Sequence, residues 1–385
     1  MYSNHRADRA GAGPLAFVTA AVVMMTLAGC ATGATPEGAA TQERSAEAQA
    51  ALDKAYAGLG GDLELPPADV ADDVSLYVIS CGESNSGCAE GTAGLVEGGK
   101  AAGWDVEVAD GKLSPEGFAT AIRQAIAAGA DVIIPMGFGC MAAQAAFKEA
   151  RDAGITIVGG GGPDDCDPAL WDAVPQWLEG TSFDEKWALY GQLGADWAYG
   201  ITEDAPRAIT LTHTTNGFGP LITDGFVTEF EKLGGKVVAN VDVTDPEAAS
   251  GSFIQKVTTA LLANPDVNVL QIPGGGFLTG GLYQAIAQSG VEDLTIVVGG
   301  PSDTTTLDLI RSGSNAGITL GAVGEATRWA QWASVDTAIR VLADQSPAYS
   351  AQPMVVVDAD NNLPASGPFD GGDWESAYLA SWGKG

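Results

Sequence analysis

A regular alternation of short apolar runs and longer amphipathic stretches governs the sequence from residue 73 onward. The apolar runs are nearly continuous and rich in Val and Ile, which is typical of parallel strands covered on both faces. The predicted strands fall at 74–79, 106–108, 131–136, 155–158, 208–211, 236–241, 267–272, 294–298, 318–320 and 354–357. The stretches between them repeat apolar residues every three or four positions and predict helices. Those helices fall at 89–102, 115–128, 141–153, 183–199, 221–233, 248–262, 282–289, 325–342 and 374–382.

The order strand, helix, strand predicts parallel βαβ units. The series starts again after Trp177, and the stretch 73–385 is longer than one hydrophobic core usually holds, so two domains are expected. We therefore predict an α/β fold of two doubly wound, Rossmann-like lobes in tandem. Ligands of such sheets bind where the carboxyl ends of the strands face each other.

Three segments carry motifs of a known family. Residues 128–135 (AGADVIIP) look like its GVDGIII strand, 153–158 (AGITIV) look like its AGIPVV strand, and 335–342 (VDTAIRVL) are similar to its late helix. In order and spacing, 73–358 resembles the type I periplasmic binding proteins of the ribose-binding class. The resemblance implies two lobes joined by a three-segment hinge around a central cleft. It also implies capture of a sugar or sugar-like solute for an ABC importer, with the permease and its ATPase as partners.

The resemblance also implies a division of the chain. The N-terminal lobe is expected at 73–177 plus about 301–323, the C-terminal lobe at 178–300 plus about 324–358, and a tail with a final helix at 359–385. The hinge crossings are expected near 175–180, 300–306 and 320–324.

Residues 1–29 have the features of a lipoprotein signal peptide. Arg6 and Arg9 precede an apolar run at 16–28, which is too short to span a bilayer as a stable helix. The run ends in Leu-Ala-Gly before Cys30, which resembles the lipobox where bacterial signal peptidases cut. A short buried helix is the alternative. We expect an extracytoplasmic protein anchored to the cell membrane through an acylated Cys30.

The stretch 30–72 follows as a predicted tether. It is rich in Ala, Thr, Glu and Gly and poor in large apolar residues, which is typical of a flexible linker. Ala48, Leu52 and Tyr56 lie at helical spacing within it and predict a short helix over 45–59.

The net charge excludes several classes of partner. The chain has 18 Lys and Arg against 49 Asp and Glu, a net charge of -31. Nucleic acid and anionic lipid surfaces bind clustered positive charge and are not expected. Once His5 leaves with the signal peptide, His213 alone remains, which is poor material for a zinc site or a Ser-His-Asp triad.

Side chains just after the predicted strands are the candidate ligand contacts. They are Glu83, Ser84, Asn85, Phe138, Asp164 and Asp165 in the first lobe, His213, Asn216, Asp242 and Phe277 in the second, and Glu325 and Trp329 near the hinge. Flat aromatic faces suit the C–H side of a pyranose, and polar groups suit its hydroxyls. Loop capping is the alternative role for the polar residues, and packing within the lobes is the alternative for the aromatic ones.

Four cysteines follow Cys30. Outside the cytosol an even set indicates disulfides, and three pairings are possible. We favour Cys81 with Cys88, which staples the first βα loop, and Cys140 with Cys166, which follow neighbouring strands. A zinc site is the alternative, although the chain has no CxxC pair.

Enzyme motifs give no match. The chain has no GxSxG, and the glycine runs at 159–162 and 274–276 satisfy neither GxGxxG nor a P-loop. We therefore expect a non-enzymatic monomer without cofactor or metal that closes over its ligand by a hinge motion. A lipoprotein sensor that presents its ligand to a membrane receptor is the alternative, and an anchored enzyme comes third.

Glycines replace the side chains with which ribose-class proteins usually bind sugar. The corresponding stretches are 159–162, 218–220, 274–276 and 299–301. We expect these glycines to leave an emptied cleft with exposed backbone amides. A simple pentose would lose charge-assisted contacts there, so we predict a wider cleft for a bulkier or less polar ligand, such as a glycoside. The aromatics and Glu83, Asn85, His213 and Asn216 would hold it.

Overall fold

The computed structural model describes residues 44–202, 205–313 and 317–385. Its strands are β1 (Ser75–Ser80), β2 (Asp105–Asp110), β3 (Val132–Pro135), β4 (Thr156–Ile157), β5 (Arg207–His213), β6 (Lys236–Val243), β7 (Val269–Ile272), β8 (Leu294–Pro301), β9 (Ile318–Glu325) and β10 (Met354–Asp358). Its α-helices are α1 (Ala46–Ala57), α2 (Ser86–Ala102), α3 (Pro115–Ala128), α4 (Gln144–Asp152), α5 (Phe183–Thr202), α6 (Gly219–Lys232), α7 (Asp245–Ser250), α8 (Phe253–Ala263), α9 (Gly275–Phe277), α10 (Tyr283–Ser289), α11 (Thr304–Arg311), α12 (Thr327–Leu342) and α13 (Glu375–Ser381). Every predicted strand is present, and the predicted helix 248–262 is two helices separated at Gly251.

The N-terminal lobe is built on four parallel strands in the order β2-β1-β3-β4. Its core contains Leu76, Ile134 and Phe147 from the strands and α4, together with Trp332 of α12 and Tyr378 of α13. The late helices α12 and α13 are therefore part of this lobe.

The C-terminal lobe is built on six strands in the order β10-β9-β8-β7-β5-β6, and only β10 is antiparallel to its neighbour. Leu270 belongs to the core on one face of this sheet, whereas Val269 and Val297 belong to the core on the other. Successive residues of a strand point to opposite faces, so the near-continuous apolar runs cover the sheet on both sides, as predicted.

Side chains and a glycine cap both ends of α3. Ser114 Oγ accepts a hydrogen bond from the backbone N–H of Gly117 at 3.1 Å, and Pro115 lies in the first turn. Gly129 ends the helix in the left-handed region with φ of 77°. Within the helix, Phe118 and Ile122 are buried against the core.

Strand pairing corrects the expected division between the lobes. β9 pairs with both β8 and β10, so 301–323 belongs to the C-terminal lobe and not to the N-terminal one. Helix α12, expected in the C-terminal lobe, packs instead in the N-terminal core. The chain does not cross near 300–306; it crosses at 325–327, between β9 and α12. An apolar run identifies a strand but not the sheet that it joins, which is why the sequence misplaced it.

The described part of the predicted tether is docked. In α1, Ala51, Leu52 and Ala55 are buried, and the last two belong to a core of the C-terminal lobe. Small side chains allow this close packing: a Cβ built on Gly200 of α5 would lie only 2.5 Å from Leu52 Cγ. The helix predicted over 45–59 is confirmed, whereas the free linker around it is wrong for 44–72.

The predicted signal peptide, Cys30 and residues 31–43 lie outside the described residues. Among the described helices, none combines the length and the hydrophobicity that a membrane span requires.

Candidate ligand-binding cleft

Polar groups from the two lobes meet where the carboxyl ends of their strands face each other. Ser86 Oγ donates a hydrogen bond to Asp303 Oδ2 at 2.6 Å. The backbone N–H of Thr304 donates to Glu90 Oε1 at 3.1 Å. Ser86 and Glu90 lie one turn apart on α2, whereas Asp303 and Thr304 lie at the start of α11. We call these four residues the interlobe latch.

Asp303 is held in place before it reaches the other lobe. Its Oδ1 accepts hydrogen bonds from the N–H and the hydroxyl of Thr306, at 2.8 and 2.7 Å, and from the hydroxyl of Thr305 at 2.8 Å. Burial favours the neutral acid, but these bonds and the one from Ser86 outweigh burial and hold the pKa of Asp303 below its ordinary value. The latch is therefore a bond between a hydroxyl and a fixed carboxylate.

Asp303 is not among the predicted contacts, because the predicted strand is shorter than β8. The strand was predicted to end at Val298 but runs to Pro301, so Ser302 and Asp303 are the residues that directly follow it. Candidate contacts were chosen as side chains just after a predicted strand. With the strand end at Pro301, that criterion selects Ser302 and Asp303. The stretch 299–301, where glycines replace a family side chain, is therefore followed closely by the carboxylate of Asp303.

Two further approaches between the lobes involve glycines. A Cβ built on Gly276 would lie 4.0 Å from Asn85 Nδ2, and one on Gly217 would lie 3.4 Å from Pro163 Cγ. Asn85 also caps α2, because its Oδ1 accepts from the N–H of Cys88 at 3.2 Å. Asn85 is thus a predicted contact that the structure places between the lobes.

Glu83 and Ser84 are exposed in the loop after β1. The backbone N–H of Glu83 donates to Asp110 Oδ1 at 3.2 Å, which ties this loop to the end of β2. Both side chains remain available to a ligand.

Phe138 packs within the N-terminal core. It is 7% exposed and stacks on Phe118 with ring centroids 4.0 Å apart, and on Phe147 at 6.1 Å. Phe138 therefore packs within its lobe, which was the alternative to a ligand contact.

Asp164 and Asp165 cap the loops around them. Asp164 Oδ2 accepts from the N–H groups of Leu170 and Trp171 at 2.8 and 2.7 Å. Asp165 Oδ1 accepts from the N–H of Met141 at 2.7 Å. These bonds correspond to the loop-capping alternative.

Three candidates of the C-terminal lobe form a cluster. Asn216 Nδ2 lies 2.6 Å from His213 Nδ1, and the ring of Phe277 lies edge-on to His213 with centroids 5.2 Å apart. The other ring nitrogen of His213 lies 2.7 Å from Asp245 Oδ1. Asp242 is separate from this cluster and exposed, and its Oδ1 accepts from Asn240 Nδ2 at 2.7 Å.

Glu325 lies at a hinge crossing in a buried ion pair. Lys186 Nζ lies 2.7 Å from Glu325 Oε1, and Gln352 Nε2 donates to the same oxygen at 3.0 Å. Burial disfavours the charged form, but Lys186 outweighs it and holds the pKa of Glu325 below its ordinary value. Burial also raises the pKa of Tyr190, which faces Glu325, well above its ordinary value.

Trp329 packs against α13. It is 2% exposed, and its ring stacks on Trp374 with centroids 6.1 Å apart. Like Phe138, Trp329 therefore packs within its lobe, which was the alternative to a ligand contact.

One aromatic stack near the cleft is not among the predicted contacts. Trp187 of α5 lies between Phe218 and Tyr190, with ring centroids 4.5 and 5.0 Å away. The buried Nε1 of Trp187 has no hydrogen-bond partner among the described residues. Phe218 is only half-buried in the loop after β5, so the after-strand rule that selected Asn216 could have found it two residues later.

Most of the glycines that replace family side chains are required by close packing. A Cβ built on Gly300 would lie 2.1 Å from the carbonyl oxygen of Pro273, and one on Gly162 would lie 2.1 Å from that of Phe138. The same crowding, to within 3.2 Å, is found at Gly159, Gly160, Gly219, Gly275 and Gly299. Gly274 has no atom within 4 Å, and at Gly161 and Gly276 the nearest atoms are 4.0 Å away. The expectation of an emptied cleft is therefore wrong at most of these positions, because neighbouring backbone or side-chain atoms fill the space.

Both favoured disulfides are confirmed: Cys81 bonds to Cys88 and Cys140 to Cys166. Asp164 places a carboxylate oxygen near the second pair, all three atoms lying within 4.8 Å of one another. Both sulfurs of that pair are in the disulfide, however, so they are not thiolates that could bind zinc.

Fold and cleft together define the class of two-lobed periplasmic binding proteins. The family described as periplasmic binding protein domain matches residues 76–345, and the chain belongs to this family. Its members are extracytoplasmic substrate-binding proteins, and the predicted type I fold and family resemblance are confirmed. No curated protein sequence matches the chain.

Solved structures show the same fold. An ABC transporter solute-binding protein from Actinobacillus succinogenes 130z with bound D-allose superposes with a TM-score of 0.60 and 18% identity, covering 75% of this chain and 98% of that one. GanP, a glucose-galactose binding protein from Geobacillus stearothermophilus, has a TM-score of 0.60 and 20% identity, covering 76% and 100%. The XylFII-LytSN complex gives a TM-score of 0.57 and 16% identity, covering 76% and 100%.

Proposed function

We propose that this chain is an extracytoplasmic solute-binding protein that captures a sugar or sugar-like molecule between its lobes and delivers it to an ABC permease and its ATPase. The observation that carries the proposal is the interlobe latch at the carboxyl ends of two parallel sheets, in a chain of the periplasmic binding protein family. The latch bonds can exist only when the lobes are together. A ligand that contacts both lobes adds its own contacts to that same arrangement and so shifts the population toward it.

The ligand class is supported by the relatives and by the chemistry of the cleft. The similar structures include sugar-bound proteins, and the groups near the latch are hydroxyls, amides and carboxylates that suit a polyol. Asn85, Glu83, Ser84 and the His213–Asn216 pair are the polar contacts we propose. Phe218 and Phe277 are the aromatic ones, in place of Phe138 and Trp329.

Ligand size is tested directly by a thermal-shift panel. Since the glycines do not empty the cleft, we no longer expect glycosides to be preferred over free sugars. We expect saturable stabilisation by at least one of D-allose, D-glucose, D-galactose, D-arabinose and ribose, of about 2.7 kcal/mol at a hundredfold excess over Kd. A response to none of these sugars and to none of a matched set of glycosides would contradict the sugar proposal.

We propose that the protein is not an enzyme. Its family binds substrates, and the fold binds by lobe closure. Incubation with the stabilising sugar should return it unchanged, and a product detected by mass spectrometry would contradict this.

The sensing alternative has narrower support. Only the likeness to the XylFII-LytSN complex points toward it, at 16% identity, which shows the fold alone. Crosslinking in membranes separates the two: a permease partner supports transport, whereas a receptor partner supports sensing.

We propose that Cys30 is the acylated first residue of the mature chain. The support is the lipobox-like sequence before it and the extracytoplasmic family. Replacing Cys30 with Ala should move the protein from the membrane fraction to the soluble fraction, because a lipoprotein's acyl chains supply its membrane affinity. Continued membrane association of the variant would defeat the proposal.

A further inference from the structure

Two of the places where the chain crosses between the lobes lie wholly outside the family match. Three crossings, at 173–182, 325–327 and 343–353, connect β4 to α5, β9 to α12 and α12 to β10. Within the described residues, 58–66 adds a fourth crossing between α1 and β1, and 359–374 adds a fifth between β10 and α13. We infer that these two terminal segments stiffen the hinge and restrict how far the lobes open without ligand.

The first added crossing is fixed to the C-terminal lobe at its start. Tyr56 donates from its hydroxyl to Asp358 Oδ2 at 2.6 Å. Leu59 and Met354 exchange two backbone hydrogen bonds, at 2.9 and 2.8 Å, so this segment extends the edge formed by β10. Gly61 then donates its N–H to the carbonyl oxygen of Ala351 at 2.7 Å, on the third crossing.

The same segment is fixed to the N-terminal lobe at its end. The carbonyl oxygen of Pro66 accepts from Arg340 Nη2 at 2.8 Å and from Ser381 Oγ at 2.7 Å. Ala68 donates its N–H to the carbonyl oxygen of Ser381 at 2.9 Å, and the indole of Trp104 donates to that of Ala71 at 3.0 Å. Arg340 is itself 2% exposed, so this end joins the core of the lobe.

The link between the two ends is short. Residues 62–65 separate Gly61 from Pro66, and a fully extended chain of that length reaches at most about 18 Å. Separation of the lobes beyond this reach must break hydrogen bonds at one end.

The second added crossing is fixed in the same way. Arg311 of the C-terminal lobe donates from Nε to the carbonyl oxygen of Pro364 at 2.9 Å, and from Nη2 to that of Gly367. Phe369 packs against cores of both lobes. Trp374 is then buried in the N-terminal core.

The two added crossings lie side by side. A cavity of about 470 Å³ is lined by both, with Gly61, Asp62, Leu63 and Glu64 on one side and Gly371 and Asp373 on the other. Ser381, which follows the second crossing, bonds to the first one at Pro66 and Ala68. Ser381 therefore joins the two segments where they meet the N-terminal lobe.

Lengthening the link tests this inference without any ligand. A flexible insertion that carries a protease site is placed between Asp62 and Leu63, and the same insertion between the exposed Pro265 and Asp266 is the matched control. Spin labels on Glu116→Cys and Ala249→Cys, in chains with Cys30→Ser, report the interlobe distance by double electron–electron resonance. Both sites are exposed, in helices that begin at the carboxyl ends of β2 and β6.

We expect the insertion in the link to broaden the distance distribution and shift it to longer distances, and proteolytic cutting of the link to increase the shift. The control insertion should leave the distribution unchanged. Equal distributions for the uncut link variant and the control would overturn the inference, whether or not the cut fragment stays docked. The measurement is independent of which solute is bound, so its failure leaves the proposed function standing.

Discussion

At the residue scale, the hydroxyl of Ser86 supplies one of the two hydrogen bonds of the interlobe latch. Ser86 donates to the carboxylate of Asp303, and a hydrogen bond to a charged group contributes about 1.5–3 kcal/mol. We expect Ser86→Ala to weaken binding of the most stabilising sugar by about tenfold, because the closed form becomes less populated.

Ser312→Ala is the matched control, because Ser312 is exposed after the last residue of α11 and its hydroxyl donates to the carbonyl oxygen of Leu309 in the same helix, and isothermal titration gives both affinities. Equal affinities for the two variants would contradict the latch. Asp303→Asn combined with Ser86→Ala should weaken binding by less than the sum of the single effects, as expected for two partners of one bond.

Two glycines at the carboxyl ends of β8 and β7 offer a second test at this scale. A methyl group on Gly300 would lie 2.1 Å from the Pro273 carbonyl oxygen, whereas Gly274 has nothing within 4 Å. We expect Gly300→Ala to lower the free energy of unfolding by about 1–3 kcal/mol and Gly274→Ala to change it by less than about 0.5 kcal/mol. Urea unfolding measures both, and similar values for the pair would show that the loop relaxes.

At the element scale, α1 is held by a charge cluster in which two buried carboxylates pair with exposed lysines. Lys54 Nζ lies 2.7 Å from Asp196 Oδ2 and 3.1 Å from Glu229 Oε1, and Lys232 also pairs with Glu229. Burial raises the pKa of Asp196 to about 6, although Lys54 opposes the rise. The pKa of Glu229 is lowered, because the two lysines outweigh burial.

Because of these pKa shifts, the loss of stability caused by Lys54→Met should depend on pH. A carboxyl whose pKa is raised on folding stabilises the protein at low pH, and that contribution is lost as the pH rises from about 4 through about 6. Without Lys54, the ionised Asp196 loses its partner and Glu229 loses one of two cations, so the loss above pH 6 deepens. We expect a destabilisation of about 2 kcal/mol at pH 8 and less than half of that at pH 4.5.

Lys148→Met is the control, because Lys148 and its partner Asp152 are both exposed. Its effect should be small at either pH. Chemical unfolding at the two pH values measures both variants, and a larger cost of Lys54→Met at pH 4.5 than at pH 8 would reverse the sign worked out here.

At the scale of the whole molecule, the lobes are tied by more than a hinge. Five crossings and the interlobe latch connect two sheets that could otherwise unfold separately. We therefore expect one cooperative calorimetric transition, with the calorimetric and van't Hoff enthalpies equal. Two resolved transitions would show that the terminal segments do not couple the lobes.

The sequence predicted the elements of this fold well and their partners less well. The strand at 318–320 was found, but its apolar residues fit either sheet, and only its pairing with β8 and β10 places it. The helix α1 was predicted, but within a free tether, because its small side chains carry little hydrophobic signal. They pack closely only because Gly200 faces them.

The site shows the same division. Asn85, His213, Asn216 and Phe277 could be selected from the sequence because residues after parallel strands gather at one edge of a sheet. Whether an aromatic side chain in such a loop points to the cleft or to the core depends on its neighbours from other elements. Phe138, for example, is held in the core by stacking on Phe118. Asp303 was missed because strand ends depend on pairing with other strands.

The sequence by itself determined the class of fold, and it indicated the disulfide pairing and the edge of the sheets where we propose that ligand binds. All three depend on local periodicity, on short spacing or on the direction of parallel strands, which the order of residues specifies directly. The tertiary structure alone decided which lobe holds β9 and α12, which glycines are crowded and how the terminal segments cross the hinge. Those depend on contacts between residues hundreds of positions apart, such as Tyr56 with Asp358, and a local pattern carries no information about such distant partners.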